Sequence, residues 1–323
     1  MRSDPLAIVL VGPTASGKTA LLDALFGEAS IWKGLGLPSA EVVSADSMQA
    51  YRGLDIGTAK PDASFLSRLP HRLIDIKDIT EQYTVGDFVH LADSSCAELW
   101  AEGKLPIVAG GTGFYVKNFI CGLPSAPAAD PGLRASVAAE LSEKGAVALR
   151  AELKAADPVS AARIHPNDLY RLTRAIEIVR STGRPMADFA PALSQRPGFR
   201  FAVFGLTRPR EELNARIDSR VDAMMRSGLP GEVAALREAG HVSKEPGMQA
   251  IGYREFFELA PSGEPTEPEL DAIALAIKQD TRQYAKRQMT FFKNLPGIEW
   301  IGPDPSLFAS RLVAIVQGGA SGL

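Results

Sequence analysis

The 323 residues suffice for a large core and about two domains, and 46% hydrophobic with 23% charged residues is an ordinary soluble composition. A net charge of −3 excludes a surface that is positive throughout, so a nucleic-acid partner has to be met by a local basic face. Two cysteines, Cys96 and Cys121, stand far apart with no CxxC pair, which argues against a disulfide framework or a zinc site and fits a reducing compartment.

No stretch of eighteen apolar residues occurs, and the first five residues run into an apolar segment without a signal peptide. The expectation is a cytoplasmic protein that does not meet the membrane. Residues 6–11 are continuously apolar and read as a buried parallel strand, while residues 20–26 continue as a helix. Between them Gly12, Pro13, Thr14, Ala15, Ser16, Gly17, Lys18 and Thr19 fit G-x-x-x-x-G-K-[ST], the phosphate-binding loop, in the strand–helix context it requires. Its amides and the following helix N-terminus point positive dipoles at a phosphate, Lys18 adds a full charge, and the Thr19 hydroxyl is placed to hold Mg²⁺. The bland alternative is a tight strand–helix connection with no ligand. The motif announces a polyphosphate without saying which.

A Gly-containing connection spans 27–40, and residues 41–46 form a second strand ending in Asp46. In open α/β sheets the carboxyl edge of the strands is where ligands bind, so Asp46 and the P-loop are expected to face one crevice. Further strands are expected at 72–76 and 105–109, the latter followed by Gly110, Gly111, Thr112 and Gly113. Between them, residues 86–102 carry helical periodicity through Phe88, Leu91, Ala92, Cys96 and Leu99. Strands alternating with helices imply a parallel, doubly wound sheet of the P-loop nucleoside-triphosphatase type. A Pro/Ala-rich passage at 122–131 breaks this pattern. Helical segments follow at 132–156 and 166–182, then a strand at 199–206, helices at about 210–239 and 267–293, and a closing strand at 298–301. The reading is a P-loop α/β core over 1–123 and 199–323 with a helical insertion over 124–198.

Lys278, Arg282 and Lys286 recur every four residues, with Arg287 and Lys293 following and Asp280 the only acid from 278 to 293, which predicts a basic helical stripe. Ile277, Tyr284 and Phe291 mark the opposite, core-facing side. His71, His90, His165 and His241 have no metal-ligand spacing.

Taken in order, the P-loop, residues 44–61 (SADSMQAYRGLDIGTAKP), 71–76 (HRLIDI), 108–115 (VAGGTGFY), 162–178 (ARIHPNDLYRLTRAIEI), 247–255 (GMQAIGYRE) and 286–293 (KRQMTFFK) resemble the tRNA dimethylallyltransferases. The resemblance spans nearly the whole chain. It departs in a longer connection at 27–40 and in lacking the C-terminal Cys/His zinc module of eukaryotic members, which points to the bacterial type. It implies transfer of a dimethylallyl group from dimethylallyl diphosphate to N6 of adenosine 37, just 3′ of the anticodon in tRNA, with Mg²⁺ and in a monomer. It implies Lys18, Asp46 and Arg216 as catalytic residues, with Arg208 and Arg220 as rivals for the arginine that caps the diphosphate. It further implies tRNA contacts from Asp46, Ser47, Met48, Gln49, Thr112, Arg134, Arg171, Arg174, Met248, Gln249, Gly252, Arg254, Lys286, Arg287 and Gln288. Asp46 would take the amine's proton; its bland alternative is to stand behind a magnesium ion. Two competitors remain at this point, an ATP-dependent small-molecule kinase and a nucleotide-switched RNA-binding module, though no N-K-x-D guanine-reading signature is present.

Overall fold

The computed structural model describes residues 4–27, 31–35, 38–127, 130–261 and 263–318. Part of the connection expected at 27–40 and residues 128–129 of the Pro/Ala-rich passage lie outside the described residues. Parallel strands β1 (Leu6–Val11), β2 (Ala40–Ser44), β3 (His71–Arg72), β4 (Leu105–Gly110), β5 (Arg200–Leu206) and β6 (Ile298–Ile301) form one sheet in the order β3-β2-β4-β1-β5-β6. The central strands are apolar along their whole length because helices cover both faces, so no residue of β4 and only the first of β1 reaches solvent appreciably.

On one face α1 (Lys18–Phe26) and α12 (Pro305–Gly318) pack Leu22, Leu25, Phe308 and Leu312 against Ile8, Leu10 and Phe204. Each such side chain contributes about 1.5–3 kcal/mol by leaving water. On the other face α3 (Val85–Ala101) and α4 (Gly113–Cys121) set Phe88 on Tyr115, with ring centroids 4.7 Å apart, and against Phe119. Thr84 and Asp87 start α3 with reciprocal side-chain to backbone bonds of 3.1 and 2.9 Å.

The third strand is shorter than the 72–76 expected from its apolar content. Leu73 and Asp75 take positive φ (66° and 55°), which no strand tolerates. Lys60, with a side chain 4% exposed, bonds Asp55 and Asp75 at 2.5 Å each and the Tyr51 carbonyl at 2.9 Å, and so draws this stretch into a loop. The helix expected at 210–239 is two, α8 (Arg210–Arg226) and α9 (Leu229–Glu238), because Gly228 between them is left-handed at φ 100°. Short helices α2 (Ala63–Arg68) and α10 (Arg254–Leu259) carry too few turns to show a periodicity in the sequence, whereas α11 (Glu267–Phe292) follows its own.

The chain divides into two compact units, Met1–Ile120 with Leu193–Leu323, and Cys121–Ala192. Residues 193–198 fall to the sheet unit rather than to the insertion expected at 124–198. The Arg196 amide donates to the Ile120 carbonyl at 2.8 Å, and its guanidinium pairs with Asp93 and lies 4.4 Å from the centroid of Phe199. The smaller unit comprises α5 (Pro131–Ala156, bent at Gly145), α6 (Pro158–Arg163) and α7 (Leu169–Thr182) around Val137, Leu149, Leu153, Leu172 and Ile176. Within it Arg180 of α7 clamps Glu140 and Glu152 of α5.

Candidate active site

The turn after β1 wraps because Ala15 (φ 61°) and Gly17 (φ 97°) are left-handed. Gly12 is required by close approach, since a Cβ there would meet Ser16 Oγ at 2.8 Å and the Leu206 carbonyl at 2.9 Å. Lys18 Nζ donates to the carbonyls of Gly12 (2.8 Å) and Pro13 (3.1 Å), which holds the ammonium over the loop. Burial, and then the Arg220 charge, pull its pKa down to about 8, and Asp46 partly opposes them.

Three arginines brace successive residues of this loop. Arg208 Nε donates to the Ser16 carbonyl (2.6 Å), Arg216 Nε to the Ala15 carbonyl (2.8 Å) and Arg220 Nη1 to Thr14 Oγ1 (3.4 Å). Arg216 and Arg220 lie one turn apart on α8 and line a cavity of about 420 Å³ with Lys18 and Thr19. Arg208 does not line it and pairs instead with Glu212. Burial and the neighbouring Arg216 lower the pKa of Arg220, which marks a cation short of counter-charge.

Asp46 reaches the same cavity from the carboxyl end of β2. Its Oδ1 accepts the amides of Met48 (2.9 Å) and Gln49 (3.2 Å), closing an Asx turn. Behind it, Thr112 Oγ1 accepts the Ser47 amide at 3.0 Å, and Gly110 lies so close to the Ala45 carbonyl that a Cβ would collide with it. A second cavity of about 310 Å³ shares Thr14, Asp46, Thr58, Ala59, Arg220 and Tyr284 with the first. Six residues singled out for tRNA contact line it: Asp46, Ser47, Met48, Gln249, Arg254 and Arg287.

Other expected RNA contacts are placed differently. Gln288 is 4% exposed, its Oε1 accepting the Thr14 amide (2.9 Å) and its Nε2 donating to the Gly111 carbonyl (2.8 Å), so it braces the P-loop. Met248 is wholly buried and Gly252 is buried, its amide held by Glu255. Gln49 lines the first cavity and spends its amide N–H groups on the carbonyls of Thr58 (3.2 Å) and Ala59 (3.3 Å). The basic stripe is not free either, because Lys278 pairs with Asp222 at 2.5 Å and Arg282 with Asp218, both on α8. Lys286 and Arg287 are exposed and have no acidic partner among the described residues. In the helical unit Arg174 is tied to Glu177 (3.1 Å) and the Pro127 carbonyl (2.8 Å), while Arg134 and Arg171 pair more loosely with Glu177 (3.7 Å) and Asp168 (3.4 Å) and have side chains 62% and 70% exposed.

A clamp that sequence reasoning missed holds the segment 55–57. The Glu232 carboxylate accepts the amides of Asp55 (3.2 Å), Ile56 (2.9 Å) and Gly57 (3.3 Å), and the Tyr253 hydroxyl joins Glu232 to Gly57. Gly57 allows the Tyr253 ring to lie directly against the backbone. Burial and Glu232 raise the pKa of Tyr253, which keeps it a phenol. Only a signal spanning 175 residues could have revealed this pairing, and one sequence carries none.

Among the described residues no group of three or more His, Cys, Asp or Glu side chains could hold a metal. The hard oxygen donors that line the first cavity include the Thr19 hydroxyl and the carboxylates of Asp23 and Asp46.

Known proteins share this fold. The family model described as IPP transferase matches residues 49–295. The chain is 41% identical over 318 residues to tRNA dimethylallyltransferase 2 of Geotalea daltonii, covering 96% of this chain and 91% of that one. It is 43% identical over 303 residues to the tRNA dimethylallyltransferase of Symbiobacterium thermophilum, covering 92% and 90%. Among solved structures, the tRNA isopentenylpyrophosphate transferase of Bacillus halodurans superposes with a TM-score of 0.66 at 36% identity over 98% of this chain and 96% of that one. A eukaryotic dimethylallyltransferase acting on tRNA gives 0.79 at 25% identity over 98% and 80%. The chain therefore belongs to the IPP transferase family, whose relatives are tRNA dimethylallyltransferases.

Proposed function

We propose that this chain transfers the dimethylallyl group of dimethylallyl diphosphate to the exocyclic N6 of adenosine 37, just 3′ of the anticodon in a tRNA, and releases diphosphate. The observation that carries this reading is that Asp46 belongs to both cavities, one holding the P-loop cations and the other the residues expected to meet RNA. The diphosphate lies against the loop amides, Lys18, Arg216 and Arg220 in the first cavity. The adenine, turned out of its loop, enters the second.

Reaction at an allylic carbon needs its C–O bond to weaken, and fixed positive charge facing the departing oxygens lowers that barrier. Below its pKa of about 8, Lys18 carries such a charge. A Mg²⁺ ion held by Thr19 and the diphosphate oxygens would supply further neutralisation there. The acceptor amine is a poor nucleophile because its lone pair is conjugated into the ring. Asp46 Oδ1 is engaged by two amides, which leaves Oδ2 to accept an N6 hydrogen, orient the lone pair and take the proton as the C–N bond forms. Lys286 and Arg287, with Arg134 and Arg171 of the helical unit, bind the tRNA backbone. One polypeptide carries both cavities, so a monomer suffices, and no helix among the described residues is long and apolar enough to cross a membrane.

The P-loop alone equally suits an ATP-dependent kinase, which the family match disfavours. Incubation of the protein with an unmodified tRNA, dimethylallyl diphosphate and Mg²⁺, followed by mass analysis of the nucleosides, tests the reading. N6-dimethylallyladenosine is expected at one position, and its absence with ATP-dependent phosphorylation of a small molecule would overturn it.

A further inference from the structure

Of the six residues shared by the two cavities, Thr14 and Arg220 belong to the phosphate side and Asp46 faces the amine, while Thr58 and Ala59 offer backbone and small side chains. The sixth is Tyr284, the only aromatic residue that lines both cavities among the described residues. The carbon that moves from diphosphate to N6 has to pass this shared wall. As C1–O lengthens, positive charge spreads over C1 and C3 of the allyl group. The nearby Arg220 repels that charge, and Asp46 is directed to the amine. A neutral π-face is the remaining group of favourable polarity.

We propose that Tyr284 is a catalytic residue of the transfer, its ring meeting the allyl group at the wall between the cavities and stabilising the cationic character of the allyl carbons. This rests on the reading of the site as an allyl-transfer centre. The C1–O bond breaks with its electron pair on the departing diphosphate, the N6 lone pair forms the new C–N bond, and the N6 proton passes to Asp46. The ring itself exchanges no atom or electron.

The ring is held in place from several sides. Its neighbour Ala285 packs into a small buried cluster with Ala15, Leu213 and Ile217, and Gln288 one turn on is bonded to the P-loop and to Gly111. The Tyr284 hydroxyl approaches the Gly111 carbonyl at 3.5 Å, and the Arg287 guanidinium lies 5.9 Å from the ring centroid. Burial, and then the charge of Asp46, push the hydroxyl pKa up to about 12, so near neutral pH the group is a phenol and no rival to Asp46 as base.

The test is the single-turnover rate of the full chain with saturating dimethylallyl diphosphate and an anticodon stem-loop RNA. Tyr284→Phe is expected within about threefold of the parent and Tyr284→Leu about thirtyfold slower, the scale of a desolvated cation–π contact. Phenylalanines bearing one, two and three ring fluorines at position 284 keep the shape while draining the π-face, and each fluorine is expected to slow the step further. That series carries the test should Tyr284→Leu fail to fold. A leucine variant at the parent rate, a phenylalanine variant as slow as leucine, a rate blind to fluorination, or a loss confined to donor affinity would each overturn the proposal. A parent protein that transfers nothing would instead refute the reading of the site.

Discussion

Replacing Asp46 by asparagine separates its two jobs. Oδ1 closes the turn by accepting the Met48 and Gln49 amides at 2.9 and 3.2 Å, and an asparagine carbonyl accepts the same pair, so the fold is expected to survive unchanged. What disappears is the anionic oxygen that takes the N6 proton in the proposed transfer, and such general-base assistance is worth about 10²–10⁴ in rate. Asp46→Ala removes the turn as well, at a cost of roughly 1 kcal/mol by comparison with helix caps. The two variants are therefore expected to share a similar loss of kcat but to differ in Tm, with donor affinity little changed in either. A further readout follows from Lys18, whose pKa is lowered by burial and Arg220 and raised by Asp46. Neutralising position 46 is expected to lower the Lys18 pKa below about 8 and to move the alkaline limb of kcat/KM to lower pH. Single-turnover kinetics from about pH 6 to 9.5, with calorimetry on both variants, measure all of this. Asp46→Asn retaining more than about a tenth of the parental rate would refute proton removal by Asp46 and leave it an orienting acceptor.

Lys18→Met is expected to cost two or more orders of magnitude in turnover. Because the folded-state pKa of Lys18 lies below its ordinary 10.5, its buried charge opposes folding at low pH, so the variant is expected to unfold at a higher temperature than the parent below about pH 8, the gap closing toward pH 10.5. Melting curves across that window check the sign. Dimethylallyl diphosphate with Mg²⁺ should stabilise the parent by about 2.7 kcal/mol at a hundredfold excess over Kd, and ATP much less; equal protection by ATP would count against the assignment. Neutralising Lys286 and Arg287 together is expected to lower the slope of log tRNA affinity against log salt by about 0.7 for every backbone phosphate that the pair had neutralised, leaving donor binding alone. An unaltered slope in that double variant would make this stretch of α11 ordinary solvated surface.

The phosphate loop is legible in the sequence because its chemistry is local: four fixed positions within eight residues set the turn, the dipoles and the charge. Asp46 is legible for a similar reason, standing at the end of an apolar run whose direction follows from the alternation of strands with helices. What escapes the sequence depends on pairing across long separations. Lys278 and Arg282 read as a free basic stripe because nothing nearby on their own helix neutralises them, and the acids that do, Asp222 and Asp218, sit on α8. Gln288 and Met248 fall in motifs shared with an RNA-modifying family, yet motif membership does not distinguish a residue that touches RNA from one that braces what does. The seven-residue spacing of Tyr284 with Ile277 and Phe291 marks a core position, and periodicity cannot tell a core from a cavity wall.

One helix ties the two halves of the proposed chemistry together. α11 holds the donor side through Gln288, whose amide bridges the Thr14 N–H and the Gly111 carbonyl, and it holds the acceptor side through Asp280, which pairs with Arg254. Tyr284 stands on the same helix between these attachments. A shift of α11 would therefore disturb the P-loop, the turn behind Asp46 and the shared wall at once. Gln288→Leu offers a way to see this coupling, since it leaves the part-buried Thr14 amide and the buried Gly111 carbonyl without their partner, the carbonyl at roughly 1–3 kcal/mol and the amide at less. The expected outcome is a folded but less stable protein in which donor affinity and acceptor affinity fall together. Loss of donor affinity alone, measured by titration calorimetry with each substrate, would show that Gln288 serves the P-loop only and that the two cavities are held independently.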